Sequence, residues 1–302
     1  METVADTIRE ITKKHLLESN GLLYGQCVTA VGWIGGTVPE LTEKDGIVEL
    51  PTSDSSNPAI VCGAALMGRR PIYVIRYQGF MCYNAVTLLN YAAKSKTLWN
   101  EPCPVFIRSI AMEGSIGPVA SNSNHSMIIH HPGMPVIAPM TPLEWTNGWN
   151  YFLRHDDPIY CSEHRKSFTI DYEMSNIIHE NPVVTIIGIS NGRIEAIEAT
   201  KQLNHKNIKT NLFHQVWLKP FKPSNDLLLS IKSSRITIIV DSGFQTCGIS
   251  ESIAYNLIHM TNSNSIYAFA IADKTAGFST ETDNLTPSSL QIFNFAIERL
   301  KK

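Results

Sequence analysis

Apolar and polar positions alternate along the first part of this chain in a way that predicts a helix, a strand and a second helix. Residues 59–67 are apolar on all sides and follow Asn57-Pro58, a typical helix start, so we predict a buried helix. The short run PIYVI at 71–75 predicts a central strand of a parallel sheet. Residues 82–99 then show apolar positions at helical spacing. The carboxyl edge of such a sheet is where α/β proteins bind ligands.

The second half of the chain repeats the alternation of strands and helices. This order predicts a second α/β domain with a mostly parallel sheet. We therefore expect an α/β protein of two domains, each a mostly parallel sheet flanked by helices, with the first domain at 1–165, a linker at 166–181 and the second domain at 182–302. The predicted strands are 183–188, 209–214, 235–241 and 265–270, and the predicted helices are 192–204, 224–232, 246–260 and 286–302.

Composition narrows the function classes. With 43% hydrophobic and 17% charged residues, the 302-residue chain is typical of a globular protein, and its net charge of −2 gives no basic surface for nucleic acid. No apolar run reaches the roughly 18 residues of a membrane span, and the N-terminus lacks the features of a signal peptide. The six cysteines show no CxxC spacing, so we expect reduced thiols and a cytoplasmic protein.

An ordered set of residues in the first domain resembles a known family. Asp54 lies nine residues before the Gly63-Ala64-Ala65 of the predicted helix, Gly-Arg-Arg-Pro precedes the strand, and Phe80 precedes Ala92-Ala93-Lys94. The set resembles the pyrimidine-binding domain of the transketolase superfamily of thiamine diphosphate enzymes, and in particular the beta subunit of the thiamine-dependent component of 2-oxoacid dehydrogenase complexes. The resemblance covers almost the whole chain, so it implies a thiamine diphosphate-binding fold followed by a transketolase C-terminal-like domain.

The resemblance implies a catalytic and cofactor-binding role for Asp54. In the family a Glu at this position bonds a ring nitrogen of the cofactor's aminopyrimidine, so that the cofactor can remove its own proton. Aspartate is shorter by about one C–C bond, roughly 1.5 Å, and a misplacement near 1 Å can cost on the order of 100-fold in rate. The alternative is that Asp54 is a turn or helix-entry residue, since residues 53–57 are rich in capping types.

Three further residues are implied by the resemblance. Phe80 is expected to pack against the aminopyrimidine, and Gln26 occupies the position of a family Glu that reaches the active site. His125 matches a family His that serves in proton transfer, although the following loop is about five residues shorter than in the family, so His130 or His131 are alternatives. These three histidines do not predict a zinc site, because no Cys or carboxylate completes a ligand set. We therefore predict no metal ligands in this chain.

The sequence also indicates a partner. The family holds Mg²⁺ and the diphosphate with Gly-Asp-Gly followed at a distance by Asn-Asn, and neither string occurs here. The resemblance therefore implies an alpha-type subunit that carries these groups, in an α2β2 assembly that decarboxylates a 2-oxoacid and transfers its acyl group. A split transketolase-like enzyme, which forms a C–C bond by transferring a two-carbon unit to an aldehyde or ketose in specialised sugar or metabolite synthesis, is the alternative. A scaffold subunit without catalytic activity is the third hypothesis.

Overall fold

The computed structural model describes residues 2–301, and the chain divides into two compact units. The first unit is formed by Met1–Met112 and Val119–Glu173, and the second by Glu113–Pro118 and Met174–Lys302. The short segment Glu113–Pro118 therefore belongs to the second unit, although it lies between two parts of the first in the sequence.

The first unit is built around a parallel sheet. Its strands lie in the order β2-β1-β3-β4-β6-β5, and neighbouring strands run parallel, as the sequence predicts. All five residues of β3 are buried, which confirms the prediction of a central strand. The strands are β1 Leu22–Gly25, β2 Ile47–Glu49, β3 Pro71–Ile75, β4 Phe106–Ala111, β5 Val136–Ile137 and β6 Ile159–His164. The helices are α1 Val4–Glu18, α2 Ala30–Gly36, α3 Asn57–Leu66, α4 Met81–Thr87, α5 Ala93–Trp99, α6 His125–Ile129 and α7 Pro142–Arg154.

Two of these helices differ from their prediction. The α3 helix buries Val61, Cys62 and Ala65, but Ile60 is 48% exposed, so the prediction that this segment is buried on all sides is wrong. Only the face that packs against the unit is covered, and apolar character alone does not say how many faces are covered. The segment predicted as one helix at 82–99 runs from α4 to α5 through a π-helical turn at Leu88–Ala92.

The last five residues of the α2 helix have left-handed backbone geometry. Gly32, Trp33, Ile34, Gly35 and Gly36 all have φ between +53° and +78°. Left-handed geometry costs roughly 1–2 kcal/mol per residue with a side chain. The glycines permit this turn, whereas Trp33 and Ile34 adopt it at a cost that the surrounding structure must offset.

The second unit contains a sheet of four parallel strands in the order β11-β10-β7-β8. Its core lies between this sheet and the helices α8 and α11, where Val184, Ile238 and Ile292 are buried together. This confirms the prediction of a second α/β domain. The strands are β7 Val184–Ile189, β8 Thr210–Gln215, β9 Trp217–Lys219, β10 Ile236–Phe244 and β11 Ile266–Ile271. The helices are α8 Gly192–His205, α9 Asn225–Ser233, α10 Ile249–Thr261 and α11 Ser289–Leu300.

Two elements of the second unit differ from the prediction. The short strand β9 follows directly on β8 and was not predicted. The last helix was predicted at 286–302 but begins at Ser289, because Ser288 and Gln291 form a capping box there, and residue 302 lies outside the described residues.

All six cysteines are free thiols, of which Cys62, Cys103 and Cys161 are buried and the other three are exposed. Among the helices between residues 2 and 301, none has the length and apolar character that crossing a bilayer requires.

Candidate active site

The structure brings together three of the four residues predicted for the site. Gln26 directly follows β1, Asp54 lies in the turn that leads into α3, and Phe80 ends the 3₁₀ turn Gln78–Phe80 after β3. They meet because β1 and β3 are adjacent parallel strands, whose carboxyl ends lie at one edge of the sheet. Together they line a small cavity of about 50 Å³, which is completed by Cys27, Tyr73, Val74, Ile75 and Arg76.

One oxygen of the Asp54 carboxylate is held by two amides. Gln26 Nε2 donates to Asp54 Oδ1 at 3.0 Å, and Asn84 Nδ2 donates to the same oxygen at 3.2 Å. Within residues 2–301, Oδ2 accepts no hydrogen bond, and the carboxylate makes none to the first turn of α3. Asp54 is half-buried. The carboxylate therefore has one anchored oxygen and one oxygen that can accept a hydrogen bond from a ligand.

Sequence reasoning did not identify Asn84 and Tyr73. Asn84 is fully buried on α4, and its Nδ2 also donates to the Phe80 carbonyl oxygen at 3.0 Å. The hydroxyl of Tyr73, in the middle of β3, donates to Asn84 Oδ1 at 2.6 Å. Burial, and then the negative charge of Asp54, raise the pKa of Tyr73, so the hydroxyl keeps its proton. The sequence signal for Asn84 is that a polar side chain lies one helical turn after Phe80.

The aromatic wall of the cavity comes from Phe80. Its ring is half-buried and packs edge-on against Tyr77, with the ring centroids 5.6 Å apart and the planes at 63°. The guanidinium of Arg76 lies over the Tyr77 ring at 5.6 Å. An aromatic ring beside an open carboxylate oxygen suits a flat heteroaromatic ligand that presents a ring nitrogen at its edge.

His125 does not line this cavity. It is fully buried at the start of α6, and its Nδ1 lies 3.1 Å from Ser162 Oγ on β6. Ser162 Oγ also accepts a hydrogen bond from Gln78 Nε2 at 2.9 Å. Of the two alternatives, His131 is half-buried and His130 is exposed. In this conformation the His125 ring is part of the interior of the unit.

The described residues fit one half of a cofactor site. The open oxygen of Asp54 and the Phe80 ring can hold a heteroaromatic ring. Between residues 2 and 301, no group of three or more His, Cys, Asp or Glu side chains is placed to hold a metal ion.

Comparison with known families matches both halves of the chain. Residues 38–169 match the family model of the transketolase pyrimidine binding domain, and residues 174–272 match that of the transketolase C-terminal domain. These matches confirm the family resemblance and the fold class that the sequence predicts.

Known relatives are similar over about three quarters of the chain. The subunit beta of acetoin:2,6-dichlorophenolindophenol oxidoreductase from Cupriavidus necator is 25% identical over 247 residues, which is 74% of this chain and 71% of that protein. The pyruvate dehydrogenase E1 component subunit beta of Staurastrum punctulatum is 25% identical over 74% of each chain. The 2-oxoisovalerate dehydrogenase subunit beta of Bacillus subtilis is 20% identical, again over 74% of each chain.

Solved structures show the same fold. A split-gene transketolase, described as an inactive β4 tetramer, matches with a TM-score of 0.72 and 12% identity over 99% of this chain and 98% of that chain. Transketolase from Campylobacter jejuni matches with a TM-score of 0.70 and 14% identity, over 98% of this chain and 46% of that chain.

Proposed function

We propose that this chain, which belongs to the transketolase-type proteins that join a pyrimidine binding domain to a transketolase C-terminal domain, is the beta-type subunit of a two-subunit thiamine diphosphate enzyme. This two-subunit enzyme decarboxylates a 2-oxoacid and transfers the acyl group. The names of its relatives support this proposal, because they are beta subunits of pyruvate, acetoin and 2-oxoisovalerate enzymes. The observation that carries the proposal is the Asp54 carboxylate, which is anchored through Oδ1 and open at Oδ2.

The residues of the cavity suit one part of the cofactor. Thiamine diphosphate, when bound, supplies the carbanion on which decarboxylation depends. Asp54 Oδ2 is the atom that would accept the hydrogen bond of the aminopyrimidine ring nitrogen, and the Phe80 ring would cover the ring face. Gln26 would act on Asp54 rather than on a proton, because an amide can donate a hydrogen bond but does not titrate.

The two amides that hold Asp54 Oδ1 can compensate for the shorter side chain of aspartate. A carboxylate that is shorter than the family's Glu by about 1.5 Å must be aimed more closely if it is to reach the same nitrogen. Gln26 and Asn84 fix Oδ1 from β1 and α4, so the direction of Oδ2 is set before any ligand binds. We therefore propose that Asp54 replaces the family's Glu as the catalytic carboxylate.

The partner is an alpha-type subunit that carries the diphosphate and Mg²⁺ ligands, in an α2β2 assembly. This chain offers an apolar surface for such a partner on α3 and α4. Met67, just after α3, is 83% exposed, Ile60 is 48% exposed, and Tyr83 and Val86 on α4 are 66% and 67% exposed. Exposed apolar side chains grouped on neighbouring elements are typical of protein–protein contacts.

Hydrogen–deuterium exchange at the reactive carbon of the cofactor tests the role of Asp54. The chain is co-purified with an alpha-type protein, and exchange is followed by NMR after acid quench. We expect Asp54→Asn to slow exchange on the order of 100-fold, because the amide keeps the size of the carboxylate without its charge or proton affinity. We expect Asp54→Glu to retain exchange. Exchange in Asp54→Asn at the wild-type rate would contradict the catalytic role.

A substrate panel on the same complex separates the alternatives. Decarboxylation of 2-oxoacids with acyl transfer supports the proposed function. Transfer of a two-carbon unit from a ketose to an aldehyde would instead support the transketolase-like enzyme. If the alpha-type partner carries a complete cofactor site and is fully active without this chain, the scaffold hypothesis is correct.

His125 stays a proposed proton-transfer residue, with a condition set by its burial. Because its ring is fully buried, it can touch a substrate only if α6 shifts when partner or substrate binds. We expect His125→Ala to lower turnover while the complex still assembles, as measured by gel filtration and steady-state kinetics. Unchanged turnover in His125→Ala, together with a loss in His131→Ala or His130→Ala, would assign the role to that histidine.

A further inference from the structure

Asn84 connects the candidate carboxylate to the residue that carries the aromatic wall. Its Nδ2 donates at the same time to Asp54 Oδ1, at 3.2 Å, and to the carbonyl oxygen of Phe80, at 3.0 Å. One amide group therefore bonds both the proton acceptor and the backbone of the ring-bearing residue. A change in this amide would move the two elements of the site relative to each other.

The orientation of the Asn84 amide follows from its partners. On one side lie a carboxylate oxygen and a carbonyl oxygen, which both need a donor. On the other side lies the Tyr73 hydroxyl, which stays protonated because burial raises the pKa of this residue. A flipped amide would set three acceptor oxygens against one another, so Nδ2 faces Asp54 and Oδ1 faces Tyr73.

Asp54 needs such a constraint because its own segment provides little. It lies in a turn outside regular structure, where Thr52, Ser55 and Ser56 are exposed. A short side chain there has freedom about two bonds unless it is held. By contrast, Asn84 is fully buried on α4 and is bonded to Tyr73 in the central strand. The sheet thus fixes the amide, and the amide fixes the carboxylate.

We infer that Asn84, supported by Tyr73, is a positioning residue that holds Asp54 Oδ1, so that Oδ2 is the oxygen presented to the cofactor. This inference rests on the proposed function for the identity of the ligand. Gln26 contributes a second bond to the same oxygen but has no bond to Phe80 among the described residues. Asn84 is therefore the residue that fixes the position of the carboxylate relative to the aromatic wall.

The first test uses the chain alone and requires no cofactor. NMR with selectively labelled aspartate reports the side-chain rotamer of Asp54 through its Hα–Hβ couplings. We expect one rotamer in the wild-type protein and in the matched control Asn90→Ala, whose side chain is exposed on the same helical stretch. We expect averaged couplings in Asn84→Ala. A single unchanged rotamer in Asn84→Ala would overturn the inference, whether or not the assembled complex is active.

The second test is a double-mutant cycle on cofactor exchange in the assembled complex. We expect Asn84→Ala to slow exchange by about 10- to 100-fold, and to have no further effect in the Asp54→Asn background, because a residue that acts only through Asp54 loses its effect with it. Equal losses in both backgrounds would overturn the inference. So would wild-type exchange in Asn84→Ala.

A second variant covers the case in which Asn84→Ala does not fold. Tyr73→Phe keeps the volume of β3 and removes only the hydroxyl that orients the amide. We expect Tyr73→Phe to slow exchange less than Asn84→Ala does, and to have no further effect in the Asp54→Asn background. An exchange rate equal to wild type in Tyr73→Phe would overturn the part of the inference that concerns Tyr73. If the wild-type complex shows no exchange at all, the proposed function fails, while the rotamer measurement still decides the positioning role.

Discussion

A buried ion pair makes the first unit sensitive to the loss of one charge. Arg108 on β4 donates from Nε to Glu163 Oε2 at 3.0 Å and from Nη2 to Glu163 Oε1 at 2.8 Å. The side chains are 1% and 0% exposed, and Nη2 also donates to Thr37 Oγ1 at 2.8 Å. Because β4 and β6 are neighbouring parallel strands, this fork joins two strands of the sheet in the first unit. The perturbation that we consider is Glu163→Gln.

The magnitude follows from the burial of the pair. Glutamine has nearly the shape of glutamate, so no cavity forms, but the guanidinium loses its compensating charge. Arg108 Nη1 already has no hydrogen-bond partner within residues 2–301, and the side chain is almost fully buried. Breaking a buried pair from one side costs about 3–5 kcal/mol. In a unit of this size each kcal/mol lowers the Tm by about 2–4 °C, so we expect a decrease of about 6–20 °C.

Thermal unfolding followed by circular dichroism measures this decrease. The matched control is Glu18→Gln, which removes one partner of the exposed Lys14–Glu18 pair, 3.9 Å apart with side chains 74% and 64% exposed. We expect that control to change stability by less than about 0.5 kcal/mol. The double variant Arg108→Met/Glu163→Leu should lose less thermal stability than Glu163→Gln, because it removes both charges and leaves none unpaired. A Tm within about 2 °C of wild type in Glu163→Gln would refute this reasoning.

Three further outcomes are expected. Burial and the charge of Arg193 lower the pKa of His214 to about 3 from its ordinary 6.5. The unfolded chain therefore takes up the proton first, and the folded state loses stability as the pH falls from about 6.5 to 3. In denaturant titrations between pH 7 and 4.5, we expect His214→Gln to remove roughly 2–3 kcal/mol of that loss. Gly133→Ala should lower the free energy of unfolding by about 2–4 kcal/mol, because a Cβ there collides with the carbonyl oxygen of Ala93. Gly68→Ala, at a φ of +83° with open space around it, should lower the free energy of unfolding by only about 1 kcal/mol. The chain alone should not bind thiamine diphosphate with micromolar affinity in calorimetry, and such binding would argue against a site shared with a partner.

The fold could be predicted largely from local pattern. The apolar run at β3 and the alternation of strands and helices after residue 183 led to two parallel sheets, because buried parallel strands need continuous apolar runs. The π-helical turn at Leu88–Ala92 and the left-handed turn in α2 were not predicted. Both depend on packing that overrides local preference. The glycines around Trp33 and Ile34 permit left-handed geometry, but they do not require it of those two residues.

The residues of the candidate site were predictable in part. Asp54, Gln26 and Phe80 were chosen by their order along the chain, and they line one cavity in the structure. His125 was chosen in the same way, yet its ring points into the interior toward Ser162. Order along the chain places a residue on a loop, but it does not say which way the side chain turns.

The sequence by itself determined the periodicity of the elements, the carboxylate before the first buried helix and the lack of the diphosphate-binding strings. Only the tertiary structure decided that Oδ1 of Asp54 is anchored and Oδ2 is open. That arrangement depends on Gln26, which is 28 residues away, and on Asn84, which is 30 residues away. The physical reason is that hydrogen-bond geometry between side chains depends on distances of tenths of an ångström and on rotamers. These are set where β1, β3 and α4 pack together, and no local pattern encodes them.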